Sequence, residues 1–424
     1  MLTILAANCA TGSHLQRSPP EESGFDAERL AYIDKFYAEK VNSGDMAGII
    51  TLIARHGKIV HFSAIGYADV EQKRKMQTDT IFRLYSMTKP IAAAALMMLY
   101  EEGRFQMHDA VSSYIPELAN LRVLRTPDAA IDDTVPAAQP PTIEDLMRHT
   151  AGFMHGGDQN AVDVEYGRAN VLGVDVSLKE MIEKLSKIPL AYQPGTRFAY
   201  SVGPDVQARL VEVLSGMPFD EFLEKHLFEP LGMKDTCFWL GAEKARRLAT
   251  VHWDKDGKLT PLDAKHGYPK KEGFLAEPSS VNSYTENHER KGGSYGLVGT
   301  AEDYWRFAQM MADGGELNGT RVLSPQVVRY MTRDHLGGIK LEEQGGWPGG
   351  VGWGLGFAVM KDAALAGYMS SDGTYFWAGA ASTFFWIDPK EDLVVVAMTQ
   401  HMGTPKLGSL WAQIRTLVYS ALME

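Results

Sequence analysis

Residues 81–103, IFRLYSMTKPIAAAALMMLYEEG, decide how the chain is read. Pro90 lacks a backbone N–H and is tolerated only in the first turn of a helix, so a helix starts near Ser86 and runs to Gly103. Ser86 and Lys89 are three residues apart and share one face of that turn. A serine hydroxyl becomes an effective nucleophile only when a neighbour takes its proton. The positive helix end and partial burial both disfavour an ammonium, so the pKa of Lys89 is expected to fall until the amine serves as a base. Composition alone yields about one S-x-x-K in a chain of this size. What distinguishes this pair is its place at the head of an alanine-rich, apolar helix, where an idle lysine is costly to bury.

Outward from this helix, both ends of the chain read as strands and the middle as helices. Residues 47–55 (AGIITLIAR) and 58–67 (KIVHFSAIGY) flank His56-Gly57 and predict a hairpin. Residues 352–360, 382–388 (STFFWID) and 393–399 (LVVVAMT) predict three more strands, the last two joined by a turn at 389–392. Leu407, Leu410, Trp411, Ile414, Leu417, Val418 and Leu422 recur at helical spacing and close the chain with an amphipathic helix. In the middle, Thr142 with Asp145 and Ser177 with Glu180 read as capping boxes. Pro204 and Gly216 bracket another helix, and Phe219, Phe222, Leu223 and Leu227 continue the pattern to Pro230. Residues 255–290 are polar and rich in Gly, Pro and charge, which predicts an irregular segment. The economical architecture is one sheet built from both termini and flanked by helices, with a helical insertion between.

Residues 193–203, QPGTRFAYSVG, set Tyr200 between a Pro194-Gly195 turn and the helix that Pro204 opens. A tyrosine there can point into a cleft. Near a cationic Lys89 its pKa is expected to fall, letting it shuttle a proton between Ser86, a leaving group and water. The competing reading is a packed ring with a satisfied hydroxyl. In 377–380 (WAGA), Gly379 permits close backbone approach, so an amide can face a substrate. Acyl transfer needs two backbone donors at the developing oxyanion, and the amides of Ser86 and Ala380 are the candidates. Trp353, Phe376 and Trp377 suggest an apolar pocket, with core packing as the equal alternative.

The ordered set S-M-T-K, Y-S-V and W-A-G resembles the family VIII carboxylesterases. R-H-T-A-G-F at 148–153, P-G-T-R-F before the tyrosine and G-W-G-L-G-F at 352–357 strengthen the likeness. These esterases belong to the serine β-lactamase and penicillin-binding superfamily, nearest to class C β-lactamases and D-alanyl-D-alanine carboxypeptidases. The likeness spans most of the chain. It implies a β-lactamase-like α+β fold: a central antiparallel sheet from residues 1–85 and 290–424, flanked by helices, and a mostly helical domain over 86–289, with the active site between them. It further implies Ser86 as nucleophile, Lys89 and Tyr200 as the proton-transfer pair, and Val202, Trp377, Ala378 and Gly379 as substrate-binding residues. Which of Lys89 and Tyr200 is the base in each half-reaction stays open, since closely spaced groups titrate together.

Class C β-lactamases carry asparagine where Val202 stands and Lys-Thr-Gly where Trp377-Ala378-Gly379 stands. Losing an amide donor and a carboxylate-binding cation fits neutral esters better than β-lactams or peptides. The implied function is a serine carboxylesterase for short-chain esters. The alternatives are β-lactamase or D-Ala-D-Ala peptidase activity, acyl transfer to a nucleophile other than water, and a non-catalytic scaffold.

Composition excludes other classes. With 45% apolar and 22% charged residues, the 424-residue chain is an ordinary globular protein. Its formal charge of −11 repels nucleic acid and anionic membranes. The longest apolar run, 91–100, is about half a membrane span. Cys9 and Cys237 are the only cysteines, so neither a disulfide framework nor a soft metal cluster is expected. No metal or cofactor is expected, and the expected partner is a small-molecule ester. Residues 1–7 lack the basic and apolar regions of an export signal and read as a tail, which points to a cytoplasmic location with the periplasm as the alternative.

A rival nucleophile exists in Gly292-Gly293-Ser294-Tyr295-Gly296, the G-x-S-x-G of an α/β-hydrolase. His335 and His401 are its possible bases, and His155-Gly156-Gly157 imitates an oxyanion loop. A nucleophile elbow follows a buried strand and opens a helix. Here the preceding YTENHERK is polar and the next helix opens at Thr300.

Overall fold

Two left-handed residues start the sheet. His56 and Gly57 take φ of 52° and 69°, the combination a two-residue hairpin needs, and join β1 (Gly48–Arg55) to β2 (Lys58–Asp69). After the short β3 (Arg74–Lys75), the sheet resumes only near the C-terminus. There it gains β4 (Val351–Trp353), β5 (Ala358–Met360), β6 (Tyr375–Gly379), β7 (Thr383–Asp388) and β8 (Leu393–Met398). The strand order is β4-β5-β6-β7-β8-β1-β2-β3, and every neighbouring pair is antiparallel. The two chain ends meet where β1 pairs with β8, Ile50 opposite Met398 and Arg55 opposite Leu393. Every residue of β1 and β8 is buried, which explains why both read as near-continuous apolar runs. This computed structural model describes residues 15–157, 159–263, 265, 284–341, 347–402 and 410–424. The readings made at 1–7, Cys9 and Leu407 lie outside the described residues.

Among the helices, five frame the sheet and the site: α1 (Ala27–Asn42), α2 (Thr88–Glu101), α3 (Gly203–Ser215), α4 (Ala301–Ala312) and α5 (Leu410–Ala421). Side chains on β7 alternate between two layers. Phe384 and Trp386 meet Trp411 and Tyr419 of α5, which packs on α1. Phe385 faces the other way, onto Tyr304 of α4. In the helical middle of the chain α2 packs on α3, and Ala92 to Ala95 are wholly buried. Thr142/Asp145 and Ser177/Glu180 both form capping boxes, and Gly216 ends α3 at φ 74°. Among the described residues no helix is long and apolar enough to cross a membrane.

Three sequence expectations change. Residues 352–360 form a hairpin of two short strands, because the Leu355 N–H leaves the sheet for the Met331 carbonyl and Gly354 N–H turns back to Phe357 O at 2.8 Å. The polar segment 255–290 contains a strand, Lys258–Pro261, paired with His252–Lys255 through the turn Asp256-Gly257. There the local Asp-Gly turn chemistry outweighs composition. The helical pattern from Phe219 also passes Pro230, which sits in the first turn of a last short helix, and stops at Gly232 with φ 69°.

Candidate active site

Ser86 is presented by a strained neighbour. Tyr85 takes φ 47°, a left-handed conformation that costs a non-glycine residue about 1 kcal/mol or more. Its ring, buried with Val251, Leu262, Ala381 and Met402, offsets that cost. Tyr85–Met87 form one 3-10 turn, α2 follows, and Ser86 is half-buried. The adjoining wall is β6. A Cβ on Gly379 would stand 2.3 Å from the Leu84 carbonyl oxygen, so only glycine lets the strand lie against this turn. Ala380 is exposed just past the end of that strand. Gly379→Ala is expected to lower Tm by about 2 °C or more in thermal unfolding. An unchanged Tm would show that strand and turn do not press on each other.

Lys89 is only 1% exposed. Its Nζ lies 3.1 Å from Ser86 Oγ and donates to the Ser294 carbonyl at 2.7 Å. Burial moves its pKa down to about 7, while Asp205 pulls it up and Arg290 pushes it further down. The direction is the one expected from the sequence. With an N–H held by Ser294, the neutral amine keeps its lone pair for the Ser86 hydroxyl.

Tyr200 comes to the same point. Its ring centroid is 4.6 Å from Lys89 Nζ, and its hydroxyl bonds Ser86 and accepts from Trp377 Nε1 at 3.3 Å. The expected fall in its pKa is overturned. Burial raises it far above the usual phenol range, more than the bonds to Ser86 and Trp377 lower it. The two expectations exclude each other, since a Lys89 that turns neutral supplies no charge to stabilise a phenolate.

His149, passed over in the sequence except as part of R-H-T-A-G-F, fixes the Tyr200 loop. Its Nδ1 accepts the Ser201 backbone N–H at 3.2 Å and lies 3.0 Å from Ser201 Oγ, and its ring is 4.7 Å from that of Tyr200. A backbone N–H only donates, so Nδ1 keeps its lone pair and the imidazole is neutral. Burial, then the Lys89 charge, push its pKa well below the usual range, and His155 is held neutral the same way.

Ser294 belongs to the site through its backbone. Its side chain is fully buried, its Oγ accepts from Arg290 Nη2 at 3.4 Å, and no strand leads into it. The rival base His335 is tied at both nitrogens, to Glu144 Oε1 at 2.9 Å and to the Tyr330 carbonyl at 2.8 Å. His401 is buried in a short strand, His401–Met402, paired with His252 and Trp253. These contacts do not assemble a nucleophile elbow.

Of the residues expected to touch substrate, Trp377 faces Tyr200 and stacks on Trp347 at 5.5 Å, and Gly379 shares its side of β6. Ala378 does not: the alternation of the strand turns it with Phe376, which lies under the Arg415 guanidinium on the opposite face. The side chain of Val202 is fully buried in the main core, and its N–H bonds the Met154 carbonyl at 2.9 Å. Trp353 has no exposed surface and supports the site from behind, its ring 4.4 Å from that of Trp377 and its Nε1 donating to the Met147 carbonyl. Among the described residues no group of three His, Cys, Asp or Glu is placed to hold a metal ion.

Comparison with known proteins matches residues 33–419 to the Beta-lactamase family. The chain belongs to that family. An uncharacterised protein of Mycobacterium tuberculosis is 33% identical over 86% of this chain and 88% of its own length. Esterase EstB of Burkholderia gladioli is 30% identical over 95% of this chain and 98% of its own. Among solved structures, EstCE1, described as a hydrolase with promiscuous acyltransferase activity, superposes with TM-score 0.77 at 27% identity, covering 94% of this chain and 99% of EstCE1. The resemblance to the family VIII carboxylesterases and the β-lactamase-like fold are thereby borne out. This beta-lactamase family member is an enzyme of the serine hydrolase superfamily.

Proposed function

We propose that the chain is a serine carboxylesterase for short-chain carboxylic esters, working through an acyl-enzyme on Ser86. The observation that carries this reading is the sealed amine of Lys89, 3.1 Å from the Ser86 hydroxyl and titrating near 7. The pKa values of Lys89 and Tyr200 are pushed apart, which supports the amine as the base and the phenol as the acid. The names of EstB and EstCE1 favour the same chemistry.

In acylation the Ser86 proton passes to Lys89 while Oγ bonds the ester carbonyl carbon. The oxyanion rests on the amides of Ser86 and Ala380. The carbon–alkoxy bond then breaks, the leaving oxygen takes the proton of Tyr200, and the Lys89 ammonium restores the phenol. In deacylation a water molecule adds to the acyl carbon and gives a proton to Lys89. The Oγ–carbon bond breaks, and Ser86 takes that proton back as the acid leaves. Trp377 donates to Tyr200 Oη and so steadies the oxygen whose charge changes in this cycle.

Tyr200→Phe removes only the acid and is expected to lower kcat by about a hundredfold on an alkyl ester such as ethyl butyrate, whose alkoxide leaves poorly without a proton, and far less on p-nitrophenyl butyrate. An unchanged kcat on the alkyl ester would take the phenol out of the cycle. Specificity is tested with nitrocefin. Trp377 offers no cation for the carboxylate of a β-lactam, so nitrocefin turnover is expected to be about a hundredfold or more below ester turnover. Comparable rates would favour the β-lactamase reading. Acyl transfer is the second reading, favoured by the likeness to EstCE1, and a rise in ester product over acid with added alcohol would reveal it.

A further inference from the structure

A sealed ion pair lies next to Lys89. The side chains of Asp205 and Arg290 are 0% and 3% exposed, and Arg290 Nη2 donates to Asp205 Oδ1 at 2.7 Å. That same carboxylate oxygen accepts the Ser294 N–H at 3.3 Å, and Arg290 Nη2 also reaches Ser294 Oγ. A Cβ on Gly293 would stand 2.0 Å from the Pro204 carbonyl oxygen, so this segment is pressed onto the first turn of α3. The pair therefore grips the one residue whose carbonyl holds the Lys89 amine. Buried pairs of this kind contribute little to stability, and packed apolar residues replace them at no loss in many proteins.

The other groups facing Lys89 are Ser86, Tyr200, His149 and His155. The phenol and both imidazoles are neutral at pH 7. Asp205 and Arg290 are thus the charged residues acting on the amine, and they act with opposite sign.

We propose that Asp205 and Arg290 are positioning residues for the dyad: they clamp the Ser294 carbonyl onto Lys89 and balance the charge around its amine. This inference rests on the reading of Lys89 as the base. With Arg290 absent, the carboxylate would favour the ammonium form of Lys89, so the base would need a higher pH to lose its proton. With Asp205 absent, the guanidinium would disfavour protonation further and leave a weaker base.

The test is the pH dependence of kcat/KM for p-nitrophenyl butyrate in three variants. Arg290→Gln is expected to move the acid limb up by about one pH unit and Asp205→Asn to move it down by about one unit. The double variant, with no unpaired charge, is expected to return the limb to within about half a unit of the wild type while keeping a lower rate. Single variants that lose rate equally at every pH, or that move the limb in the same direction, would overturn the proposal. If the single variants do not fold, the double variant decides, since a limb displaced by about a unit or more also overturns it. Lys89→Met separates the two ideas. Full activity in that variant would end the reading of Lys89 as base, whereas an inactive variant beside unmoved limbs would end only the role of the ion pair.

Discussion

Ser86→Ala lowers the turnover of p-nitrophenyl butyrate by about ten-thousand-fold or more while leaving the fold intact; that is the expected result, because the substitution removes one half-buried oxygen and the only bond the acyl group is proposed to form. Ser294→Ala is the matching control. Its contribution to Lys89 is a carbonyl, which alanine retains, so its rate is expected to stay within about tenfold of the wild type. An α/β-hydrolase mechanism reverses the two outcomes. A fluorophosphonate adduct mapped by mass spectrometry should lie on Ser86, and an adduct on Ser294 with an active Ser86→Ala variant would sink the assignment.

Lys89→Met carries the second largest expected effect, a loss of about a thousandfold or more in kcat. Stability is expected to move the other way. A buried amine is replaced by an apolar side chain of similar length, so Tm should hold or rise. In the wild type, kcat/KM should climb as pH rises through about 7, because the amine works only after losing its proton. A lysine kept for structure would show the opposite divergence, with Tm falling and the pH profile flat across that range.

The parts of this enzyme that were legible in the sequence are those written in local periodicity. The hairpin at His56-Gly57, the capping boxes and the first-turn Pro90 each depend on residues within a few positions, and the Ser86/Lys89 spacing is one helical turn. What was not legible joins distant positions. Asp205 and Arg290 are 85 residues apart and His149 and Ser201 are 52, and one sequence carries no signal linking either pair. Burial and strand alternation were not legible in the motifs either: Val202 is fully buried, and Ala378 sits on the face of its strand opposite Trp377. The pKa of Tyr200 was misjudged because its direction depends on the protonation of Lys89 and on burial, neither of which spacing reveals.

The pairing of β1 with β8 has a consequence for biosynthesis. β1 is translated well before its second neighbour in the sheet, since Ile50 pairs with Met398. Until β8 emerges the apolar edge of β1 stands without that ladder partner, which makes a nascent chain stalled between the two prone to aggregate and gives the fold a high contact order.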